Sequence, residues 1–169
     1  MAQKENVWDY PRPPAMELTP KRLRVLYKDV VIADTTKAYR ILETSHPPTY
    51  YIPIEDVNQD VLIKNTRNTY CEWKGTAHYY DVKVGDDIIR IWYYPNPTDK
   101  YAAIKDYLSV TSSTATSMMK RYAIIMESSL PPCLIRHDSH CSSVEPQPGD
   151  FYGGWMTSDI EGKVKGMGW

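Results

Sequence analysis

Several residue types and features are scarce in this chain. It has only one Phe against 14 Tyr and 5 Trp, and its three cysteines, Cys71, Cys133 and Cys141, form no CxxC pair. An odd number of scattered cysteines argues against a secreted disulfide scaffold. The first fifteen residues lack the apolar stretch of a signal peptide, and no run approaches the roughly 18 apolar residues of a membrane span. We therefore expect a cytoplasmic protein, with the nucleus as an alternative, and no membrane partner.

A surplus of charge of one sign is also missing. Twenty basic and 21 acidic residues give a net charge of −1. Because nucleic-acid binders usually carry a concentrated basic surplus, we expect no nucleic-acid partner. With 169 residues, 42% of them hydrophobic, the chain is long enough for one packed domain, which we place at 1–169. The many Tyr and Trp residues suit ligand walls as well as cores, since each joins an apolar body to a polar group.

Short alternating runs bounded by turn residues predict a mainly β fold. Strands are predicted at 23–27, 30–33, 39–43, 50–52, 69–74, 77–84 and 88–94, with tight turns at Lys28-Asp29 and at 85–87. Asp86 and Asp87 are interpreted as part of that second turn, and not as carboxylates that bind a metal. Thr98 suits a helix N-cap and the apolar residues after it recur at helical spacing, so a helix is predicted over 98–108.

The segment 109–143 differs from the rest of the chain. It opens with a serine- and threonine-rich run and shows poor helix or strand periodicity, which is unusual inside a compact domain. It also holds four potential metal ligands, Cys133, His137, His140 and Cys141. Their spacing matches no common zinc site, so no metal and no cofactor are predicted.

Three segments together resemble a known family. They are Glu43 to Tyr51 (ETSHPPTYY), Cys71 to Gly75 (CEWKG) and Gln147 to Trp155 (QPGDFYGGW), supported by residues 7–11 and 165–166. With these motifs the chain resembles the family called domain of unknown function 427, which is sometimes labelled a nucleotidyltransferase. The resemblance covers 5–108 and 144–169, and it implies a small two-sheet, tent-like antiparallel domain with one or two short helices. Many members of that wider fold bind zinc through paired CxxC motifs, which this chain lacks.

The same family resemblance is lost across 109–143. Relatives have a compact strand in this region, whereas here the serine-rich stretch takes its place. Either a lineage-specific loop or a gene-model fault, such as a translated intron, would explain the difference. We favour a gene-model fault as the explanation for this segment. If the segment is translated, we expect it to be disordered.

Glu43 and His46 are the candidate catalytic pair. They stand where a predicted strand meets Pro47 and Pro48, and a carboxylate beside an imidazole can fix the ring tautomer and raise its basicity. The alternative is that Glu43 bonds backbone groups and His46 caps a loop.

A predicted strand and a glycine-rich tail supply further candidates. If 71–75 is extended, Cys71, Trp73 and Gly75 share one face, and Glu72 and Lys74 share the other. Cys71 is then most simply a core residue, whereas Trp73 and Lys74 could line a pocket. In the tail, Gly153-Gly154 allows a close backbone approach, to a ligand or to a neighbouring strand.

These residues lead to one main functional hypothesis and two alternatives. The main hypothesis is a domain that binds a small polar molecule in an aromatic-lined cleft. Glu43 and His46 would form the acid–base pair, Lys74 would contact an anion, and the remaining candidates would form the walls: Tyr50, Tyr51, Trp73, Tyr152 and Trp155. The alternatives are a non-catalytic protein-interaction module with exposed aromatics, and a nucleotidyltransferase, which rests on the family label alone. The sequence does not give the oligomeric state.

Overall fold

The structure is a computed structural model that describes residues 4–110, 122–127, 142–143, 145–147 and 154–164. The strands, in chain order, are β1 (Glu5–Asn6), β2 (Ala15–Leu18), β3 (Arg22–Tyr27), β4 (Val30–Thr35), β5 (Tyr39–Leu42), β6 (Thr49–Pro53), β7 (Leu62–Cys71), β8 (Gly75–Val84), β9 (Asp87–Tyr93), β10 (Tyr107–Val110), β11 (Tyr122–Glu127), β12 (Ser142–Ser143), β13 (Glu145–Pro146), β14 (Trp155–Met156) and β15 (Ile160–Glu161). Short 3-10 helices span Val7–Asp9, Ile54–Asp56, Gln59–Val61 and Asp99–Ile104. None of these described helices has the length and apolar character needed to cross a membrane.

The strands form two main sheets and two small pairs. A seven-stranded antiparallel sheet has the order β2-β5-β6-β10-β9-β8-β7, and a four-stranded sheet has the order β12-β11-β3-β4. β1 pairs with β15 in parallel, and β13 pairs with β14. The predicted fold class, mainly β and antiparallel with short helices, is confirmed.

Alternation along the strands determines which side chains enter the core. In β3 the buried residues are Leu23, Val25 and Tyr27, while the intervening residues are half-buried. The hairpin from β3 to β4 turns at Lys28 and Asp29, whose φ angles of 47° and 68° suit the right-handed twist of a two-residue hairpin. This turn was predicted at the right position.

The predicted turn at 85–87 does join β8 to β9, but it comprises only Gly85 and Asp86, since Asp87 is already the first residue of β9. Val84 pairs with Asp87 across it, and Gly85 has a φ of 61°. The Asp87 carboxylate is buried, accepts a hydrogen bond from the Tyr27 hydroxyl at 3.0 Å and forms an ion pair with Lys28. The turns of two hairpins from different sheets are thereby joined.

The two main sheets face each other across one hydrophobic cluster. Its buried residues come from both sheets and from β14: Leu23, Val25, Tyr27, Ile32, Ala33, Tyr50, Ile52, Val82, Val84, Ile89, Ile91, Tyr93, Leu108 and Trp155, with Ala38 and Val57 from connecting segments. This main core occupies the inner face of the seven-stranded sheet. The outer face carries a second, smaller cluster that includes Tyr51, Trp92 and Tyr101.

The helix predicted over 98–108 is wrong in type and length. The 3-10 helix ends at Ile104, Asp106 takes a φ of 60°, and β10 begins at Tyr107. Tyr101 and Ile104 are both buried, and their separation of three residues fits a 3-10 turn as well as an α-helix. Leu108 instead pairs with Ile52 and Tyr93, because β10 fills the place between β6 and β9.

Strand β11 lies within the atypical segment 109–143, where no strand was predicted. It pairs antiparallel with β3 over six residues, from Tyr122 opposite Tyr27 to Glu127 opposite Arg22. Most of the remaining segment, including Cys133, His137, His140 and Cys141, lies outside the described residues.

We predict that Leu23→Ala lowers the free energy of unfolding by about 2–5 kcal/mol, because Leu23 is fully buried between the two sheets. Urea unfolding followed by circular dichroism measures the loss. The matched control is Leu18→Ala, at a position 56% exposed on β2, which should change stability by less than about 0.5 kcal/mol. Equal losses in the two variants would contradict the assignment of the core.

Candidate functional site

A small hollow opens on the outer face of the seven-stranded sheet. Its enclosed volume is about 20 Å³, which exceeds the space that one water molecule needs. The lining residues come from β5, β6, the loop between them, the turn after β7 and the end of β9: Ile41, Glu43, His46, Pro47, Thr49, Tyr51, Lys74, Trp92 and Tyr94. Four of the residues proposed from the sequence, Glu43, His46, Tyr51 and Lys74, therefore meet at one place.

The sheet register places the aromatic wall of the hollow. Tyr51 lies opposite Ser109, and Ser109 lies opposite Trp92, so both rings stand in one row across three adjacent strands. The Trp92 indole nitrogen donates a hydrogen bond to the Tyr51 hydroxyl at 3.1 Å. Burial raises the pKa of Tyr51 well above its usual value, and the hydrogen bond from Trp92 opposes this only in part. Tyr51 therefore stays a neutral, hydrogen-bonding wall.

The N-terminal arm, residues 10–14, contacts Glu43 from outside the sheet. An Arg12 guanidinium nitrogen lies 3.1 Å from a carboxylate oxygen of Glu43. The Thr44 hydroxyl donates to the Tyr10 carbonyl, and the Tyr101 hydroxyl donates to the Pro14 carbonyl at 2.8 Å. The arm is thus fixed at several points around the hollow, and it supplies the charge opposite Glu43.

His46 lies buried in a tight loop that begins at Glu43. Its backbone N–H donates to the Glu43 carbonyl at 3.0 Å, and Ser45 between them has a φ of 67°. The His46 Nδ1 lies 2.8 Å from the carbonyl oxygen of Thr44. Since a carbonyl can only accept, Nδ1 donates here, and Nε2 is the ring atom that can take up a further proton. A backbone carbonyl holds this tautomer, whereas the Glu43 carboxylate pairs with Arg12.

Lys74 lies in a turn and not on a strand, which corrects the extended reading of 71–75. Cys71 pairs with Gly75, so residues 72–74 form the turn between β7 and β8, and the predicted alternation of faces is wrong. Gly75 makes the turn possible with a φ of 93°. Cys71 remains half-buried against the outer cluster.

The turn places the Lys74 side chain under the 3-10 helix. The Thr98 N–H donates to the Lys74 carbonyl at 3.3 Å, and the Thr98 hydroxyl donates to the Trp73 carbonyl at 2.6 Å. Lys74 is 6% exposed, and its ammonium lies 5.7 Å from the centre of the Tyr101 ring. Burial raises the pKa of Tyr101 and the nearby Lys74 opposes that rise.

The other sequence-proposed wall residues do not line the hollow. Tyr50 and Trp155 are buried in the main core, on the opposite face of the sheet from Tyr51. Trp73 is half-buried against the outer cluster, beside the hollow. Tyr152 lies outside the described residues.

Gly154 and Trp155 pack against the loop that carries His46. The Trp155 N–H donates to the Pro48 carbonyl at 3.0 Å. A Cβ atom at Gly154 would lie 2.0 Å from the Pro47 carbonyl oxygen, so only glycine allows this approach. The close approach expected from Gly153-Gly154 is therefore made by Gly154, to the loop that carries His46.

Sequence reasoning missed Arg12, Trp92 and Tyr94. Alternation along β9 does place Trp92 and Tyr94 on one face, but it does not say which strands lie beside them. Arg12 carries no local signal, because its partner is far along the chain.

Metal ligands do not converge in the part of the chain that the structure describes. There, no group of three or more His, Cys, Asp or Glu side chains is placed to hold a metal ion. The hollow itself offers one carboxylate and one imidazole.

The family model described as domain of unknown function DUF427, labelled NTP_transf_9, matches residues 15–122. The chain belongs to the DUF427 family. The match contains all the lining residues from Ile41 to Tyr94, and it also reaches the first part of the atypical segment. A comparison with curated proteins finds no match.

For this DUF427 domain we predict that Gly154→Ala lowers the free energy of unfolding by roughly 1–3 kcal/mol or more, because the new methyl group must displace the Pro47 backbone. The shift of the urea midpoint measures it. Gly85→Asn is the control, since Gly85 has open space and a φ that Asn tolerates, and it should cost less than about 1 kcal/mol. A smaller loss in Gly154→Ala than in the control would refute the close approach.

Proposed function

We propose that this domain binds a small polar molecule in the hollow on the outer face of its large sheet. The proposal rests on one observation: three titratable side chains from two separate segments, Glu43, His46 and Lys74, line one concavity together with aromatic rings. Binding sites commonly combine apolar and aromatic walls with a few convergent polar groups. Titratable side chains gathered in a concave pocket are the feature by which a candidate site is first recognised.

The size of the hollow limits what enters it. An enclosed volume of about 20 Å³ is little more than one water molecule needs, so only the polar tip of a ligand enters the hollow. The remainder of a ligand would lie at the mouth. The proposed ligand is therefore a molecule with one compact polar head.

His46 is the group proposed to contact that head. Its Nδ1 is bound to the Thr44 carbonyl, so Nε2 can accept a hydrogen bond or exchange a proton. Glu43, paired with Arg12, is proposed to form a polar wall without net charge.

The protein-interaction alternative finds less support among the described residues. Their large exposed aromatics are Trp8 and Tyr70, at 57% and 78% exposure, and they lie on different elements, before β2 and on the edge strand β7. An aromatic docking face needs neighbouring rings in one patch. The nucleotidyltransferase alternative still rests on the family label.

We predict that His46→Asn weakens ligand binding while the fold is kept. The Asn amide can replace the Nδ1–H that bonds the Thr44 carbonyl, but it has no counterpart of Nε2. In a thermal-shift screen against a library of small polar metabolites, compounds that raise the melting temperature of the wild type should lose at least half of that shift in the variant.

The control is His78→Asn. His78 is half-buried on β8 and packs against the Tyr93 ring, away from the hollow. This variant should keep the full ligand-induced shift. If the library stabilises none of the proteins, or stabilises His46→Asn and the wild type equally, the hollow is not the binding site that we propose.

A further inference from the structure

We infer that the ligand head group bound in the hollow carries a single negative charge and is bound by the Lys74 ammonium. A carboxylate is the chemical group that fits best. This inference rests on the proposed function and adds the class of ligand to it. The environment of Lys74 is unusual for a lysine.

Lys74 is more than nine-tenths buried, although lysine is among the residues least often removed from water. A buried ammonium loses its hydration, and this loss is large unless an anion or several acceptors replace the water. The turn at 72–74 and its bonds to Thr98 fix the backbone from which this side chain extends.

The partners of the ammonium within the described residues are few. The Tyr101 ring lies on one side, at 5.7 Å from Nζ. Among these residues no carboxylate oxygen lies within 4.0 Å of Nζ, and no acceptor forms a hydrogen bond with it. A ring face attracts a cation but accepts no strong hydrogen bond, so the donors of Lys74 toward the hollow are left for a ligand.

The charges around the hollow favour a single negative charge. Glu43 is neutralised by Arg12 at 3.1 Å, and the His46 tautomer set by Thr44 is neutral when Nε2 is unprotonated. Lys74 then supplies one positive charge that no carboxylate of the described residues pairs with within 4.0 Å. A monoanion balances that charge, whereas a dianionic phosphate would leave one negative charge buried beside Glu43.

The size of the hollow also suits a small anionic group. A hollow of about 20 Å³ admits a carboxylate oxygen, while the rest of the ligand lies at its mouth. The rings of Tyr51, Trp92 and Tyr94 would then contact the carbon to which the carboxylate is attached.

The test compares matched probes that differ only in charge. Benzoate and phenylacetate are the anions, benzamide and phenylacetamide their neutral counterparts, and benzylamine the cation. Dissociation constants are measured by titration calorimetry or by ligand-observed NMR on the full chain. The carboxylates should bind the wild type roughly 10- to 100-fold more tightly than the amides, the range expected for a hydrogen bond to a charged group.

The variants isolate the charge of Lys74. Lys74→Met should weaken carboxylate binding by at least about tenfold, and Lys74→Arg should keep the preference for anions. The matched control is Lys100→Met, because the Lys100 ammonium lies 5.6 Å from the same Tyr101 ring but is exposed. This variant should bind as the wild type does. If Lys74→Met does not fold, the comparison of acid and amide on the wild type still decides the inference.

Two results would overturn the inference in different ways. If metabolites of the library bind through His46 but the amides bind as tightly as the acids, or Lys74→Met keeps its affinity for the acids, the hollow is a site and its ligand is not an anion. If neither the library nor any of the five probes binds, the proposed function falls together with the inference.

Discussion

The alternation of side chains along β6 is the constraint on which both the core and the hollow depend. Tyr50 enters the main core and its neighbour Tyr51 lines the hollow, because successive residues of a strand point to opposite faces. β6 lies between β5 and β10, and its pairing with both fixes the register. A slip of one residue would exchange the two tyrosines, so the pattern that buries the core also builds the candidate site.

Local features of the fold could be predicted from the sequence, and so could about half of the hollow. The hairpins at Lys28-Asp29 and Gly85 follow from alternating runs around turn residues, which act over a few neighbours. Glu43, His46, Tyr51 and Lys74 stand in the two motifs, 43–51 and 71–75, that carry the family resemblance, and all four line the hollow. Tyr50 was assigned to the wall as well, although strand alternation places it on the other face from Tyr51.

The remaining features depend on contacts between distant parts of the chain. Whether Tyr101 and Ile104 form an α-helix or a 3-10 turn is decided by β10, which must return between β6 and β9. Trp92 lines the hollow because only β10 separates its strand, β9, from β6. The turn at Lys74 could not be predicted, because the alternating pattern of side chains continues across this tight hairpin as it would along one unbroken strand.

Docking of the N-terminal arm has a thermodynamic consequence for the hollow. Arg12 supplies the charge that neutralises Glu43, and the arm is attached through Tyr10, Pro14 and their partners. Release of the arm would leave the Glu43 carboxylate unpaired near Lys74. Its negative charge would then lower the affinity of the hollow for an anion. By linkage, any anion that binds beside Lys74 must in turn strengthen the attachment of the arm by the same factor. If the proposed anion binds, occupancy of the hollow and docking of residues 10–14 would therefore be coupled quantities.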